Sequence, residues 1–299
     1  MTTMPVPSDM VGEVIGPIDH DVDERWTMAY AASLGDTHDC YFDTLAEDGV
    51  VAHPMFAVCP EWPVIVAGRD VSDRWGISPD EVRRSVHATH DLTVHRLVRP
   101  GDRLTTSLTY SGVEQRKPGT FQTMRIDTID ADGSPVATTY QGGMYLNVET
   151  AGDNRPDANA PAEPDFGELP SEPLAGIPVP VAHGAAHSYT ECARIWNPIH
   201  TDAAVARKAG LPGIILHGTA TLALGVSAVV DAVAGSEPSR VRRIVGRFRA
   251  MVLMPSTITV RVWDEFPVAE FGPATRAVRF DVLNAEGGPA VDRGVILLS

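Results

Sequence analysis

Apolar and polar positions alternate along this chain in two matching sets, each preceded by helical patterns. In the first set, HDLTVHRL (90–97), RLTTSLTYSGVEQ (103–115), TFQTMRIDTID (120–130) and PVATTYQGGMYLNV (135–148) repeat with a period near two, the signature of half-buried strands. RRIVGRFRAMV (242–252), STITVRVWDEF (256–266), TRAVRFDVLN (275–284) and AVDRGVILLS (290–299) do the same in the second. Asp132-Gly133 and Glu286-Gly287-Gly288 predict hairpin turns. Short helices are expected at 24–34 and 187–195, and another at TDAAVARKAG, where Gly210 supplies the stop. TATLALGVSAVVDAVAG (219–235) is almost wholly apolar over about four turns, which predicts a buried helix. Its counterpart in the first half, MFAVCPEWPVIVAG (55–68), carries two prolines and is expected to be less regular.

The two sets can be laid over one another. YAASLGDTHDCYFD (30–43) falls on YTECARIWNPIHTD (189–202) at an offset of 159. VVAHPMF around His53 falls on IILHGTA around His217 at an offset of 164. Arg99-Pro100-Gly101-Asp102 and Met254-Pro255-Ser256 each precede a strand pattern. Three landmarks in one order indicate a duplicated unit. Each half reads as a helix wrapped by an antiparallel sheet, an α+β pattern. The stretch 151–180 is rich in Pro, Ala, Gly and acids and lacks either period. It reads as a linker, giving a first unit at 1–150 and a second at 181–299.

Composition narrows the function. Acidic residues outnumber basic ones 39 to 24 in 299 residues, a formal charge of −15. That argues against nucleic acid and against anionic membranes as partners. No run of 18 apolar residues and no secretory signal pattern is present, so a cytoplasmic protein is expected. Cys40, Cys59 and Cys192 form no CxxC pair, consistent with a reducing compartment and no metal. GxGxxG, P-loop, GxSxG and HExxH motifs are all missing. His87, His90 and His95 are expected along a strand edge, and His183 and His187 at a strand end, without ligand spacing.

The most informative segment is YTECARIWNPIHTDAAVARKAGLPGIILHGT (189–219). Asn197-Pro198 should end the preceding helix, which leaves His200 on a loop, ahead of Asp202. A loop His held between two helices suits acid/base work, or it caps its surroundings locally. His217-Gly218 opens the apolar helix, where backbone N–H groups can hold an oxyanion.

N-P-I-H, an acid, an AxxAG helix and I-x-x-HG together resemble the MaoC-like dehydratases, which include the (R)-specific enoyl-CoA hydratases. VVAHPMF and HRLVRPGDRLTT resemble that family's N-terminal dehydratase unit. The resemblance implies a double hotdog, in which two helix-wrapped antiparallel sheets form an intramolecular pseudo-dimer and the first is a degraded copy. It implies addition or removal of water at an α,β-unsaturated or 3-hydroxyacyl thioester of CoA or a carrier protein. His200 then takes the acid/base role, Asn197 buttresses it, and Gly218 offers its N–H to the thioester oxygen. The family's Asp, however, falls on Ile195, and its preceding Gly on Arg194. The first half keeps Gly35-Asp36, with His38 at the Asn position and Tyr41 at the His position.

Three readings of that loss stand open. Glu191, four residues before Ile195, replaces the Asp from the same helix face; His200 acts alone with water; or hydration is gone, leaving a non-catalytic thioester-binding subunit or a repurposed lyase, isomerase or cyclase. Pairing of Asp36 with His200 across the halves is a further arrangement. Arg243, Arg247 and Arg249, on one strand face, are the candidates for the CoA phosphates, or else form a solvated face. No cofactor is expected beyond the CoA or phosphopantetheine of the substrate, and unpaired edge strands leave a homodimer open.

Overall fold

The computed structural model describes residues 5–70, 72–82, 85–164 and 167–299. Its main sheet has ten strands: β1 (Val14–Asp21), β2 (Ser85–Val94), β3 (Arg103–Arg116), β4 (Gly119–Asp130), β5 (Pro135–Leu146), β6 (Ala175–Val181), β7 (Val241–Phe248), β8 (Ser256–Pro267), β9 (Arg276–Leu283) and β10 (Pro289–Leu298). Their order in space is β1-β3-β4-β5-β2-β7-β10-β9-β8-β6. Counted within its own half, each strand meets its counterpart on the other side of the β2–β7 seam. That palindrome is the sheet of a two-fold dimer written into one chain. All the pairings in this sheet are antiparallel. The α+β double hotdog expected above is what forms.

Each half wraps one long helix. The second-half helix, α5 (Gly218–Val233), buries Leu222, Val226 and Val229 completely, as its unbroken apolar pattern requires. The first-half helix, α2 (Val58–Asp70), is continuous, against the expectation of an irregular one. Pro60 sits in its first turn, where the missing N–H has no intrahelical partner to lose, so only Pro63 removes a bond. The irregular part is a 3₁₀ turn before it, Pro54–Ala57. Two shorter helices, α1 (Glu24–Ser33) and α3 (Ala185–Ala193), pack against each other. At their contact the hydroxyls of Tyr30 and Tyr189 lie 3.3 Å apart. These residues are aligned by the 159-residue offset, so a residue meets its own counterpart, as across a dimer axis. A further helix, α4 (Ala203–Lys208), is capped by Asp202 and stopped at Gly210, whose φ is +82°.

Alternation missed the two outermost strands, β1 and β6. β6 lies in the Pro-rich stretch expected to be linker, so 175–180 are sheet. Its prolines, Pro178 and Pro180, fit because β6 is an edge strand, which pairs on one side only. Residues 155–162 run across the outer face of the sheet. Tyr140 donates to the Asn159 carbonyl and Arg243 to that of Ala162. No helix is long and apolar enough to cross a membrane among the described residues.

Candidate active site

His200 is set by the chain on both sides of it. Helix α3 ends at Arg194, whose backbone is left-handed at φ +59°, and Ile195 turns inward to the core at 6% exposure. Asn197 and Pro198 then open a 3₁₀ turn that carries His200. The Asn197 carbonyl accepts from the His200 N–H, while the Asn197 amide forms no bond to the ring. Asn197 therefore positions His200 through its backbone rather than by the side-chain buttress expected.

The ring of His200 is buried and polarised in one sense. Its Nδ1 lies 2.8 Å from the Ile215 carbonyl, an acceptor, so Nδ1 carries the proton. Nε2 is left with its lone pair and no partner among the described residues. Burial pushes the imidazolium down to about 4, so the ring is neutral near pH 7. This is a base in its reactive form with one nitrogen open. The His217 ring stacks on it at 3.7 Å and 24°. His217 Nε2 meets the Thr190 hydroxyl at 3.2 Å.

Gly218 begins α5 next to this stack. His217, at the cap position, forms no side-chain bond to the first N–H groups, so the end of the helix is unclaimed. A side chain at Gly218 would press on the Phe248 ring, with a Cβ only 3.2 Å away. The glycine lets the backbone, its N–H and Phe248 close around one space. A neutral base and a free helix N-terminus thus converge, which suits proton transfer beside a developing oxyanion.

The other expected residues are elsewhere. Glu191 is exposed on α3 and does not meet His200. The helix stops at Ala193, so the same-face relation with Ile195 does not exist. Asp36 is bonded through Oδ2 to the Ser227 hydroxyl, on the third turn of α5. Nine residues separate Ser227 from Gly218, ~13 Å along the helix axis, so Asp36 and His200 belong to different places. Around Asp36, His53 Nδ1 accepts from the Met55 N–H, so His53 Nε2–H donates to Ser227 Oγ, which donates to Asp36. His38 meets Asp231 at 2.7 Å. Ser227 and Asp231 of α5 thus fill the first-half counterpart of the His200 site. The 164-residue offset aligns Ser227 and Asp231 with Pro63 and Ala67 of α2, neither of which carries a side chain able to form such a plug.

The three arginines do not reach the site either. Arg243 and Arg247 point from β7 to the outer face, opposite Phe248. Arg243, 3% exposed, is paired with Asp91 at 2.7 Å and with Glu270. Arg247 and Arg249 share Asp292. Their positive charge is spent on carboxylates, not held open for phosphate. Among residues the patterns did not single out, Glu61 stands out as buried and titratable. His90, expected at a strand edge, is fully buried at the seam, because β7 pairs with β2 there.

Residues 165–277 match the MaoC like domain, and residues 9–139 match the FAS1-like dehydratase domain region. The chain is 37% identical over 70 residues to a peroxisomal enoyl-CoA hydratase 2 of Arabidopsis thaliana, a match covering 23% of each chain. It is 24% identical over 297 residues to the 3-hydroxyacyl-thioester dehydratase Y of Mycobacterium tuberculosis, covering 96% of this chain and 95% of that one. A crystal structure of a MaoC-like dehydratase from Phytophthora capsici superposes with a TM-score of 0.82 at 20% identity, over 98% and 97% of the two chains. The stronger local matches span about a quarter of those curated relatives.

Proposed function

We infer that this chain, a MaoC-like domain joined to a FAS1-like dehydratase region on a double-hotdog fold, adds water to or removes it from an acyl thioester. The observation that carries the reading is the neutral His200, with Nε2 open, beside the free N-terminus of α5. In hydration, Nε2 takes a proton from water while the oxygen bonds to C3 of the enoyl thioester. The C2=C3 electrons move onto the thioester oxygen, where the Gly218 N–H receives the charge. The His200 imidazolium then returns its proton to C2, the C=O reforms, and the ring is neutral again. Dehydration reverses each step. One group serves both transfers, so addition is syn, and no carboxylate at position 195 is needed. The acyl carrier is CoA or a phosphopantetheinyl protein.

The test is turnover of a panel of 2-enoyl-CoAs by purified protein, followed by loss of enoyl absorbance and by deuterium placement in D₂O. One deuterium at C2, syn to the new hydroxyl, is expected, with His200→Gln slowing the rate by about 10²–10⁴-fold. Because Ile195 leaves no second acid, binding without turnover is the competing reading. Equal CoA-ester affinity in wild type and His200→Gln, with no product from either, would establish it instead.

A further inference from the structure

The two tyrosines that meet between α1 and α3 are aligned in sequence but differ in what they hold. Tyr30 donates to the main-chain carbonyl of Met55 at 3.2 Å. Tyr189 donates to the side-chain hydroxyl of Thr219 at 3.1 Å. The 164-residue offset places Met55 on Thr219, so each phenol addresses the same position, two residues after His53 or His217. In the first half that position carries a thioether, and the phenol turns to the main chain instead. In the second half it carries a hydroxyl. The difference therefore falls on the side of the molecule that holds His200.

Thr219 is the second residue of α5, directly after Gly218. A hydroxyl has one proton to give and lone pairs to accept with. Tyr189 uses a lone pair of Thr219, and the Thr219 proton is left to be given away. A threonine in a helix commonly gives it to the carbonyl four residues back, as Thr221 does to His217. For Thr219 that carbonyl belongs to Ile215, which already accepts from His200 Nδ1. Thr219 donates to no group among the described residues. Tyr189 is 1% exposed, and burial pushes its phenol up, so it keeps its proton and stays a donor at neutral pH. Its ring lies 4.9 Å from that of His217, which stacks in turn on His200. Phenol, hydroxyl and base thus belong to one packed unit, in which Thr219 is only half-buried.

We propose that the Thr219 hydroxyl is a second donor to the thioester oxygen, beside the Gly218 N–H, and that Tyr189 is the positioning residue that aims it. The proposal rests on the thioester reading of the site and adds two residues to its chemistry. As the C2=C3 electrons move onto the thioester oxygen, both donors tighten on it, and Thr219 keeps its proton throughout. Accepting from Tyr189 also strengthens Thr219 as a donor, because hydrogen bonds in a chain polarise one another.

The experiment sets Thr219→Val, Thr219→Ser, Tyr189→Phe and the Thr219→Val, Tyr189→Phe double variant beside wild type. Two readouts are taken: hydration of a 2-enoyl-CoA, and the infrared carbonyl band of a bound saturated acyl-CoA labelled with carbon-13 at the thioester, which cannot react. Thr219→Val, which keeps the shape and loses the hydroxyl, should lower kcat by about 10²–10³-fold with KM nearly unmoved. Thr219→Ser should restore most of it. Tyr189→Phe should lower kcat less, and should cost nothing further in the Thr219→Val background, since it acts through that hydroxyl. The carbonyl band should shift to lower frequency on binding to wild type and to Thr219→Ser, and shift less on Thr219→Val. A Thr219→Val enzyme with wild-type kcat and band overturns the proposal and leaves the hydratase reading standing. So does a loss that serine fails to restore, or a Tyr189→Phe loss of equal size in both backgrounds. Absence of turnover in wild type defeats the underlying reading, and the band then decides Thr219 alone; no binding by wild type defeats both.

Discussion

Glu61→Gln should stabilise this protein, and by an amount that depends on pH. Glu61 is 1% exposed, with the Thr139 hydroxyl as its hydrogen-bond donor and no cation against it. Burial raises its carboxyl from an ordinary 4.5 to about 8. In the unfolded chain Glu61 is ionised at pH 7, and in the fold it holds a proton. Stability therefore falls as pH rises wherever the folded state binds the extra proton, from 4.5 up to about 8. At pH 7 the interval is about 2.5 units, which costs about 3 kcal/mol at roughly 1.4 kcal/mol per unit. Gln keeps the acceptor for Thr139 and the shape, and it has nothing to ionise. Urea unfolding of both proteins from pH 4 to 8 checks this. The variant should match wild type near pH 4 and exceed it by about 3 kcal/mol at pH 7. Parallel curves across that range would refute the argument, because Glu61 would then be titrating as it does in water.

The neutral histidines act in the opposite direction. His200, His87 and His53, with imidazoliums pushed down to about 4, 4 and 3, resist protonation in the fold, so each removes up to about 1.4 kcal/mol per pH unit as pH falls below 6.5. Stability of the Glu61→Gln variant should accordingly drop steeply between pH 6 and 4. The kcat/KM of wild type should fall as pH drops through about 4, where His200 gains its proton, and stay level toward neutrality from that group. Gly218→Val should cut kcat/KM at least tenfold and cost about 1–3 kcal/mol of stability, since the new side chain overpacks on Phe248 and obstructs the N–H, as a thermal melt run beside the assay would show. Arg243→Ala should cost about 3–5 kcal/mol in urea unfolding by stranding Asp91 at the seam, with KM for the CoA ester unmoved.

Strands such as β3 and β8 were legible because they bury one face more than the other, which writes a period of two into the chain, while β9 and β10, buried on both faces, were legible as apolar runs between turns. β1 and β6 escaped because an edge strand is wetter and tolerates proline, as at Pro178 and Pro180. The double hotdog and the place of His200 followed from the repeat and the N-P-I-H motif. Partners in space did not follow. Glu191 failed because one left-handed residue, Arg194, breaks the helical spacing on which the inference relied. Arg243 looked available for phosphate because no linear pattern pairs it with Asp91, 152 residues away. His90 looked like an edge residue because only the β2–β7 pairing buries it.

That pairing has a consequence for how the molecule can change. Two separate subunits meeting at such a seam would part on dilution, and their association would depend on concentration. A covalent bridge makes the encounter intramolecular, with a high effective concentration of one half for the other. It also releases the halves from identity. In a dimer of one sequence, any substitution that plugs a pocket plugs both. Here Ser227 and Asp231 can occupy the pocket by Asp36 with no matching change required beside His200, and each side is free to be tuned without altering the other.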